Sequence, residues 1–474
     1  MDFSKVKTAF PNETISKSST ATTLMNFLDL PADIKQHLLQ KFTNFDGKLN
    51  AYELSEYVKE MRLKPADWNI KLLEARHTAK GQIKLLTKVL IEFDYAKDQI
   101  CFSLPEYGFP KKRGEALVDW SIISAHKKQL LLADGAWGEI TLVYDCGIVQ
   151  LDSFTPLCPY TVELKQFQRG RENFTTTEWI DVLLSGLNFN AVNMTETEKL
   201  TLLQRFLPFV EKRLNCIELA IKGSGKSYCY SQLSTHNWLT SGTISRATAF
   251  YNNATKKVGY FVGHDVVCFD EVQSMTSANP AEMNSMLKGY LENGTISVGE
   301  YKGSSDASLV ISGNISIGQQ NISKHNMFKH IPKMFSESAL IDRFALIIEG
   351  WNIGRFTEER KYSGWALNAS YLTEIFHLLR EEFFYRAIID EVVVAKNGGD
   401  ARNIEAVKKT CTAYLKLLFP HIKSSKELLN YKEDFIKYCL TPAIAGRNAV
   451  LTQLCFIDEE YEKNKMPTFS IVEG

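Results

Sequence analysis

The segment "IELAIKGSGKSYCYSQL", residues 217–233, sets Lys226 and Ser227 directly behind Gly223 and Gly225. Residues of these types at this spacing handle phosphate. Glycines reach backbone conformations closed to residues with a β-carbon, and they let main-chain N–H groups come close to an anion. A lysine behind them can reach the outer phosphates of a nucleoside triphosphate, and the hydroxyl next to it can ligate Mg2+. Gly223, Ser224, Gly225, Lys226, Ser227 and Tyr228 are the expected nucleotide-binding residues. One position departs from the pattern G-x-x-x-x-G-K-[ST]: Ala220 stands where it has glycine. A methyl group is tolerable there if φ is negative, so the loop reads as a working one.

Three further elements supply chemistry to match. In "GHDVVCFDEV", residues 263–272, an apolar run ends in Asp270-Glu271. Asp270 would hold Mg2+ together with Ser227, and Glu271 would polarise the attacking water. "SLVISGN" ends at Asn314, a polar strand tip that could orient that water. "ALIDRFALII" carries Arg343 between apolar flanks, either as an arginine finger reaching a neighbouring subunit's site or as one half of a structural Arg–carboxylate pair. Between the last two, "GTISVGEYKGSSDA" reads as a β-hairpin with Lys302 near its turn. The expected catalytic residues are Glu271, Asn314 and Arg343, acting on ATP with Mg2+.

The elements that must position these residues follow from patterning. A 474-residue chain with 45% hydrophobic and 23% charged residues has room for two or three domains. The first 20 or so residues are polar and read as frayed. "LPADIKQHLLQKF" and "YELSEYVKEM" are amphipathic helices. The segment joining them, "FTNFDGKLNAYE", mimics a calcium loop but has Phe42 where the first carboxylate belongs, so it reads as a plain helix–turn–helix connection. From Gln82 the period changes to alternation, as in strands. After about residue 365 the pattern is almost wholly helical. The fold class expected is α/β, in three parts: residues 1–165, helical then β-rich; residues 166–360, a nucleotide-binding core; and residues 361–474, an α-helical lid and tail.

Composition excludes some classes. The nine cysteines contain no C-x-x-C pair, which argues against a disulfide framework or a zinc ribbon and for a reduced, cytoplasmic protein. No apolar run is long enough for a membrane span. Lys plus Arg and Asp plus Glu both total 55, so nucleic acid would have to be met by local patches such as Lys111-Lys112-Arg113 or by repetition in an oligomer.

The order of glycine loop, Asp-Glu, hairpin, Asn, Arg and helical lid resembles AAA+ P-loop ATPases, especially the branch of the MCM helicases and Lon ATPases. The run of "FTTTEWIDVLL", "LLQRFLPFVEKRLNCIELAIKGSGKSYCYSQLS", "GHDVVCFDEV", "SGNI", "DRFALIIEGW" and "AVKKTCTAYLKLLFPH" narrows this. Over residues 85–450 the chain is similar to the Lon-related BrxL proteins of BREX phage-defence systems, in a short form. The resemblance implies a homo-oligomer of one or two hexameric rings that binds double-stranded DNA, partly through its N-terminal region, alongside other BREX components. It also implies a second sensor in the lid, for which Arg402 and Lys408 are candidates, and places Lys302 at a central channel against DNA. Longer family members carry a protease-like C-terminal domain; this sequence has no G-P-S-A-G-like serine segment followed by a lysine, so no peptidase activity is expected. The alternative reading is an ATP-driven protein remodeller related to Lon, with Tyr301 as its pore aromatic. A nucleotide-binding scaffold without turnover is disfavoured by the intact Glu271.

Overall fold

The computed structural model describes the chain except residues 1–2, 18–27, 29, 45–47, 79–80, 95–96, 113, 132–134, 146, 158–161, 316–320, 397–398 and 473–474. Asp46 and Gly47 of the calcium-loop-like segment and Arg113 of the basic cluster fall outside the described residues. The chain divides into two compact units, residues 19–161 and residues 1–18 together with 162–474.

The N-terminal segment differs from the expectation of a frayed end. Helix α1 (Phe3–Ala9) and strand β1 (Thr14–Ser16) belong to the larger unit. Val6 and Phe10, four residues apart on one helix face, are its anchors, and both are buried. The Phe10 ring packs within 6.1–6.4 Å of Phe167, Trp179 and Tyr371, and β1 pairs antiparallel with residues 365–367. Lys17 is buried and donates to the carbonyls of Ser185 and Gly186, and burial holds its pKa well below the usual lysine value. Val6, Phe10 and Ile15, together with the strand pairing and the Lys17 hydrogen bonds, dock a segment whose average composition is polar. The compact N-terminal unit therefore begins after this segment, not at the first residue.

In residues 19–161, helices α2 (Ala32–Lys41) and α3 (Ala51–Met61) pack Ile34, Leu38, Leu39 and Phe42 against Leu54, Met61 and Leu86. Helix α4 (Trp68–His77) leads into a closed five-stranded barrel. Its strands are β2 (Gln82–Asp94), β3 (Gln99–Ser103), β4 (Ala116–Val118), β5 (Ala136–Asp145) and β6 (Ile148–Pro156), in the order β2-β3-β4-β6-β5. β4 and β6 run parallel and the other pairs antiparallel, with helix α5 (Trp120–Ala125) between β4 and β5. Alternate residues Ile83, Leu85, Ile140, Leu142, Val149 and Leu151 fill the interior, as the period of two requires.

The larger unit is built on a parallel sheet. Helices α6 (Thr176–Gly186) and α7 (Glu196–Gln204) both start at capping boxes, Thr175 with Glu178 and Thr195 with Glu198. Then come β7 (Cys216–Ala220), α8 (Lys226–Ser231), β8 (Asn237–Thr240), β9 (Val266–Phe269), α9 (Pro280–Asn293), the hairpin β10 (Thr295–Val298) and β11 (Tyr301–Ser304), β12 (Ser308–Asn314), β13 (Leu346–Glu349) and β14 (Trp365–Leu367). Five of these form one sheet in the order β13-β7-β12-β9-β8, all parallel. Cys216, Val266, Cys268, Val310 and Leu346 face one hydrophobic core, while Ile217, Val267, Phe269, Ile311 and Ile347 face another. Helices α10 (Ala369–Glu381), α11 (Phe384–Val392) and α12 (Ala401–Leu418) complete the first core, and α13 (Thr441–Ile457) closes on the second. The C-terminal helices thus share their cores with the sheet and lie in the same compact unit. No described helix is long and apolar enough to cross a membrane.

Phe10→Ala tests the docking of the N-terminal segment. Removing that ring from a packed aromatic cluster should cost about 3–5 kcal/mol, read as an earlier denaturation transition of the larger unit in the full chain.

Candidate nucleotide site

Strand β7 leads directly into the glycine loop. Gly223 and Gly225 both sit in the left-handed region, with φ 78° and 81°, where a β-carbon would be strained. Helix α8 begins at Lys226. Ala220 is the last residue of β7, extended and fully buried, and is not among the positive-φ residues. Its methyl occupies room left by Gly350, where an added β-carbon would come within 2.6 Å of it. The departure from the loop pattern is therefore accommodated by a glycine elsewhere in the chain.

Four predicted residues converge at the C-terminal ends of β7, β9 and β12, the edge of a parallel sheet at which ligands are commonly bound. Lys226 Nζ donates to Asn314 Oδ1 at 2.9 Å, and Ser227 Oγ donates to Asp270 Oδ2 at 2.7 Å. The other Asp270 oxygen accepts from Ser312 Oγ at 2.8 Å and from the Glu271 N–H at 2.9 Å. Burial pulls the Lys226 ammonium below its usual pKa, a cost that an anion beside it would offset. Glu271 is exposed and adopts φ 52°, ψ 45°, a left-handed conformation uncommon for a residue with a side chain. A hydroxyl next to a carboxylate is a hard oxygen donor set that suits Mg2+, and the glycine loop with its buried lysine suits a phosphate chain.

Other predicted residues are placed differently. Tyr228 is turned toward its own domain: its hydroxyl accepts from Asn188 Nδ2, and burial raises its pKa. Arg343 Nε pairs with Glu292 Oε2 at 2.8 Å, and its guanidinium also donates to the Ala339 carbonyl, so within one chain it sits in an Arg–carboxylate pair. Of the two second-sensor candidates, Arg402 is held by Asp342 at 2.8 Å and by Glu292, and Lys408 is held by Asp390 at 2.9 Å. Lys302 is exposed on β11, opposite Ser297, and Tyr301 next to it stacks on Tyr251 at 4.3 Å.

Several contributors were not identified from the sequence. Beneath the loop, Arg205 and Glu218 form a fully buried ion pair at 2.6 Å. Arg205 Nη1 also donates to the Ser224 carbonyl at 2.9 Å, tying the pair to the loop. Tyr230 donates to the second Glu218 oxygen at 3.1 Å. The signal was the lone carboxylate in the apolar strand "CIELA", which must have a partner when buried. Gln273 Nε2 donates to the Asn314 carbonyl at 2.6 Å, and the Phe356 N–H donates to the Gly223 carbonyl at 2.8 Å. The first holds the end of β12 and the second holds the loop, and nothing local in the sequence marks them.

This architecture and site are those of a mixed α/β chain organised around an ATPase domain. A family model described as "Lon-like protease BrxL-like, ATPase domain" matches residues 149–467, and one described as "BREX system Lon protease-like protein BrxL N-terminal" matches residues 8–144. The chain belongs to the BrxL family. It is 30% identical over 383 residues to a protein of Escherichia coli O9:H4 (strain HS) named "Lon-like protease BrxL", covering 79% of this chain and 53% of that one. It is 31% identical over 334 residues to a protein of the same name from Bacillus cereus (strain H3081.97), covering 68% and 48%. The chain thus spans about half the length of these curated relatives.

Two substitutions test the local analysis. Arg205→Met leaves Glu218 buried without its partner and should cost about 3–5 kcal/mol, whereas the double change Arg205→Met with Glu218→Leu should recover most of that loss in chemical denaturation. Ala220→Gly should leave nucleotide affinity unchanged while costing about 0.5–1 kcal/mol of stability.

Proposed function

We propose that this chain is a AAA+ ATPase that hydrolyses ATP with Mg2+ in a homo-oligomeric, hexameric ring on double-stranded DNA, as a cytoplasmic component of BREX-type phage defence. The observation that carries the reading is the convergence of Lys226, Ser227, Asp270 and Asn314 at one edge of the sheet. The strand order supports it. β12 lies between the glycine-loop strand β7 and the Asp-Glu strand β9, so Asn314 can meet the outermost phosphate of a nucleotide held between them.

In this reading Lys226 exchanges the Asn314 carboxamide for the outer phosphates, which frees Asn314 to orient the attacking water. Glu271, exposed beyond the strand end, accepts that water's proton. Mg2+, held by Ser227 and Asp270, would supply charge neutralisation along the phosphates. Ser312 and the Glu271 N–H keep the Asp270 carboxylate oriented. Arg343 would act in trans only after giving up Glu292 for a neighbouring subunit's phosphate.

DNA binding is supported by the barrel. A five-stranded closure in which the third and fifth strands run parallel, with a helix between the third and fourth, has OB-type connectivity, and barrels of that type take up oligonucleotides. Lys302, exposed on the hairpin, is the proposed contact to DNA phosphates. The stacking of Tyr301 on Tyr251 makes that aromatic a strut within the domain, which weighs against the remodeller alternative. The peptidase activity in the relatives' printed name is not carried over; the two family models that match are an N-terminal and an ATPase domain.

The test is ATP hydrolysis by the purified chain, with and without duplex DNA. Lys226→Ala should abolish turnover by weakening nucleotide binding. Glu271→Gln should retain ATP and lower kcat about 100-fold or more. Unchanged hydrolysis in Glu271→Gln would remove that residue from the mechanism, and stimulation by unfolded protein in place of DNA would favour the remodeller.

A further inference from the structure

A second cluster of side chains lies at the opposite edge of the same sheet. His236 immediately precedes β8, Asp265 immediately precedes β9, and His377 lies on α10, one turn after Glu374. One ligating atom from each of His236, Asp265 and His377 falls within 4.8 Å of the other two. The two imidazole rings are stacked, with centroids 4.1 Å apart and planes 7° from parallel. His377 Nδ1 lies 2.7 Å from Asp265 Oδ2, and His236 Nε2 lies 2.8 Å from Glu374 Oε1.

We propose that His236, Asp265 and His377 bind a divalent transition-metal ion of the Zn2+ class, with Glu374 as the carboxylate that orients His236. Two imidazoles and one carboxylate make a nitrogen–oxygen set of the kind that holds Zn2+ while leaving a position for water. A carboxylate hydrogen-bonded to a ligating histidine fixes the ring's orientation and raises its basicity.

The backbone ties the site together, and one imidazole must turn out of the stack for the in-plane lone pairs of both rings to meet at one ion. The Asp265 N–H donates to the His236 carbonyl at 2.7 Å, and the Asp265 carbonyl accepts from the Ser308 N–H at 2.8 Å, so the two strand ends are tied together before any ion arrives. Charge favours a cation. Arg380 Nε, 3.6 Å from Asp265 Oδ1, compensates one carboxylate. Its other nitrogens are donated to the carbonyls of Pro208, Glu211 and Asp306, which hold it in place. Asp265 and Glu374 together set two negative charges against this one arginine, so a net negative charge remains for a cation to neutralise. The half-exposed His377 keeps one side open to solvent for entry.

The consequence is a cross-link. The ion would join α10 to the starts of β8 and β9, on the side of the sheet away from Lys226 and Asp270. It would act as a fastener between the C-terminal helices and the sheet, independent of the nucleotide site.

The experiment uses the full chain stripped with chelator and desalted, titrated with ZnCl2 by calorimetry, with metal content measured after gel filtration. The proposal expects one equivalent per chain and a raised thermal midpoint. The double variant His236→Gln with His377→Gln should lose that equivalent, and Glu374→Gln should bind about 10–100-fold more weakly. Should the double variant fail to fold, Co2+ bound to the unmodified chain decides. Visible ligand-field bands without thiolate charge-transfer bands support nitrogen and oxygen ligands, whereas thiolate bands would assign the ion to cysteines such as the exposed Cys455 and overturn the proposal. No stoichiometric uptake by the unmodified chain, or full uptake by a folded double variant, would overturn it as well.

Discussion

An all-parallel sheet exposes neither face to water, because the connections between its strands run across both of them. That requirement organises the larger unit. Five short strands alternate their apolar residues between two cores, and each core must be closed by helices drawn from well outside the strand region. On one face these come from α6 and α7 before the sheet and from α10, α11 and α12 after it; on the other, α9 and α13 do the work. The N-terminal segment is drawn in by the same demand, since Phe10 fills a gap among Phe167, Trp179 and Tyr371. Gly170 makes that approach possible, because a β-carbon there would lie 2.2 Å from the Phe10 ring.

Buried charge is the second constraint. The sheet interior tolerates Glu218 only because Arg205 and Tyr230 satisfy its carboxylate. The same guanidinium reaches the Ser224 carbonyl, so the pair that solves a desolvation problem also holds the glycine loop in shape. Asp270 is treated similarly: Ser227, Ser312 and the Glu271 N–H occupy its two oxygens. A carboxylate held by neutral donors keeps its orientation and remains a ligand for a cation. A second group of charges, in which Asp342 receives both Arg402 and Arg447 while Glu292 receives Arg343 and Arg402, fixes the C-terminal helices to the chain on both sides of the hairpin. Arg343 rests on the exposed Glu292 carboxylate, an ion pair of the weak kind found near a protein surface.

The two edges of the sheet are chemically distinct. At the strands' C-terminal ends are glycines, a lysine, a hydroxyl and carboxylates, a set for phosphate with a hard cation. At the N-terminal ends are two histidines with carboxylates, a set for a softer ion. The strand residues between these edges are mostly apolar, and the buried polar ones among them, Glu218, Ser308 and Ser312, are each hydrogen-bonded within the chain.

By itself the sequence determined the elements whose chemistry is local. The glycine loop, the Asp-Glu strand end, the hairpin and Asn314 were legible because each depends on residue type and spacing within a dozen positions. The helical faces of residues 34–61 and the alternation from Gln82 were legible for the same reason, since periodicity is a short-range property. Tertiary structure alone decided what those elements meet. The partnership of Arg205 with Glu218, the hold of Phe356 on Gly223 and the closure of the barrel through the parallel pairing of β4 with β6 all join residues far apart in sequence or paired in ways no local pattern encodes. The polar opening residues hid Val6 and Phe10 because average composition says nothing of where two side chains will find a cavity. Ala220 is the clearest case. The chain alone marked it as a departure from the loop pattern, and only packing against Gly350 gave the methyl its place, because steric fit is a property of pairs and the sequence presents residues one at a time.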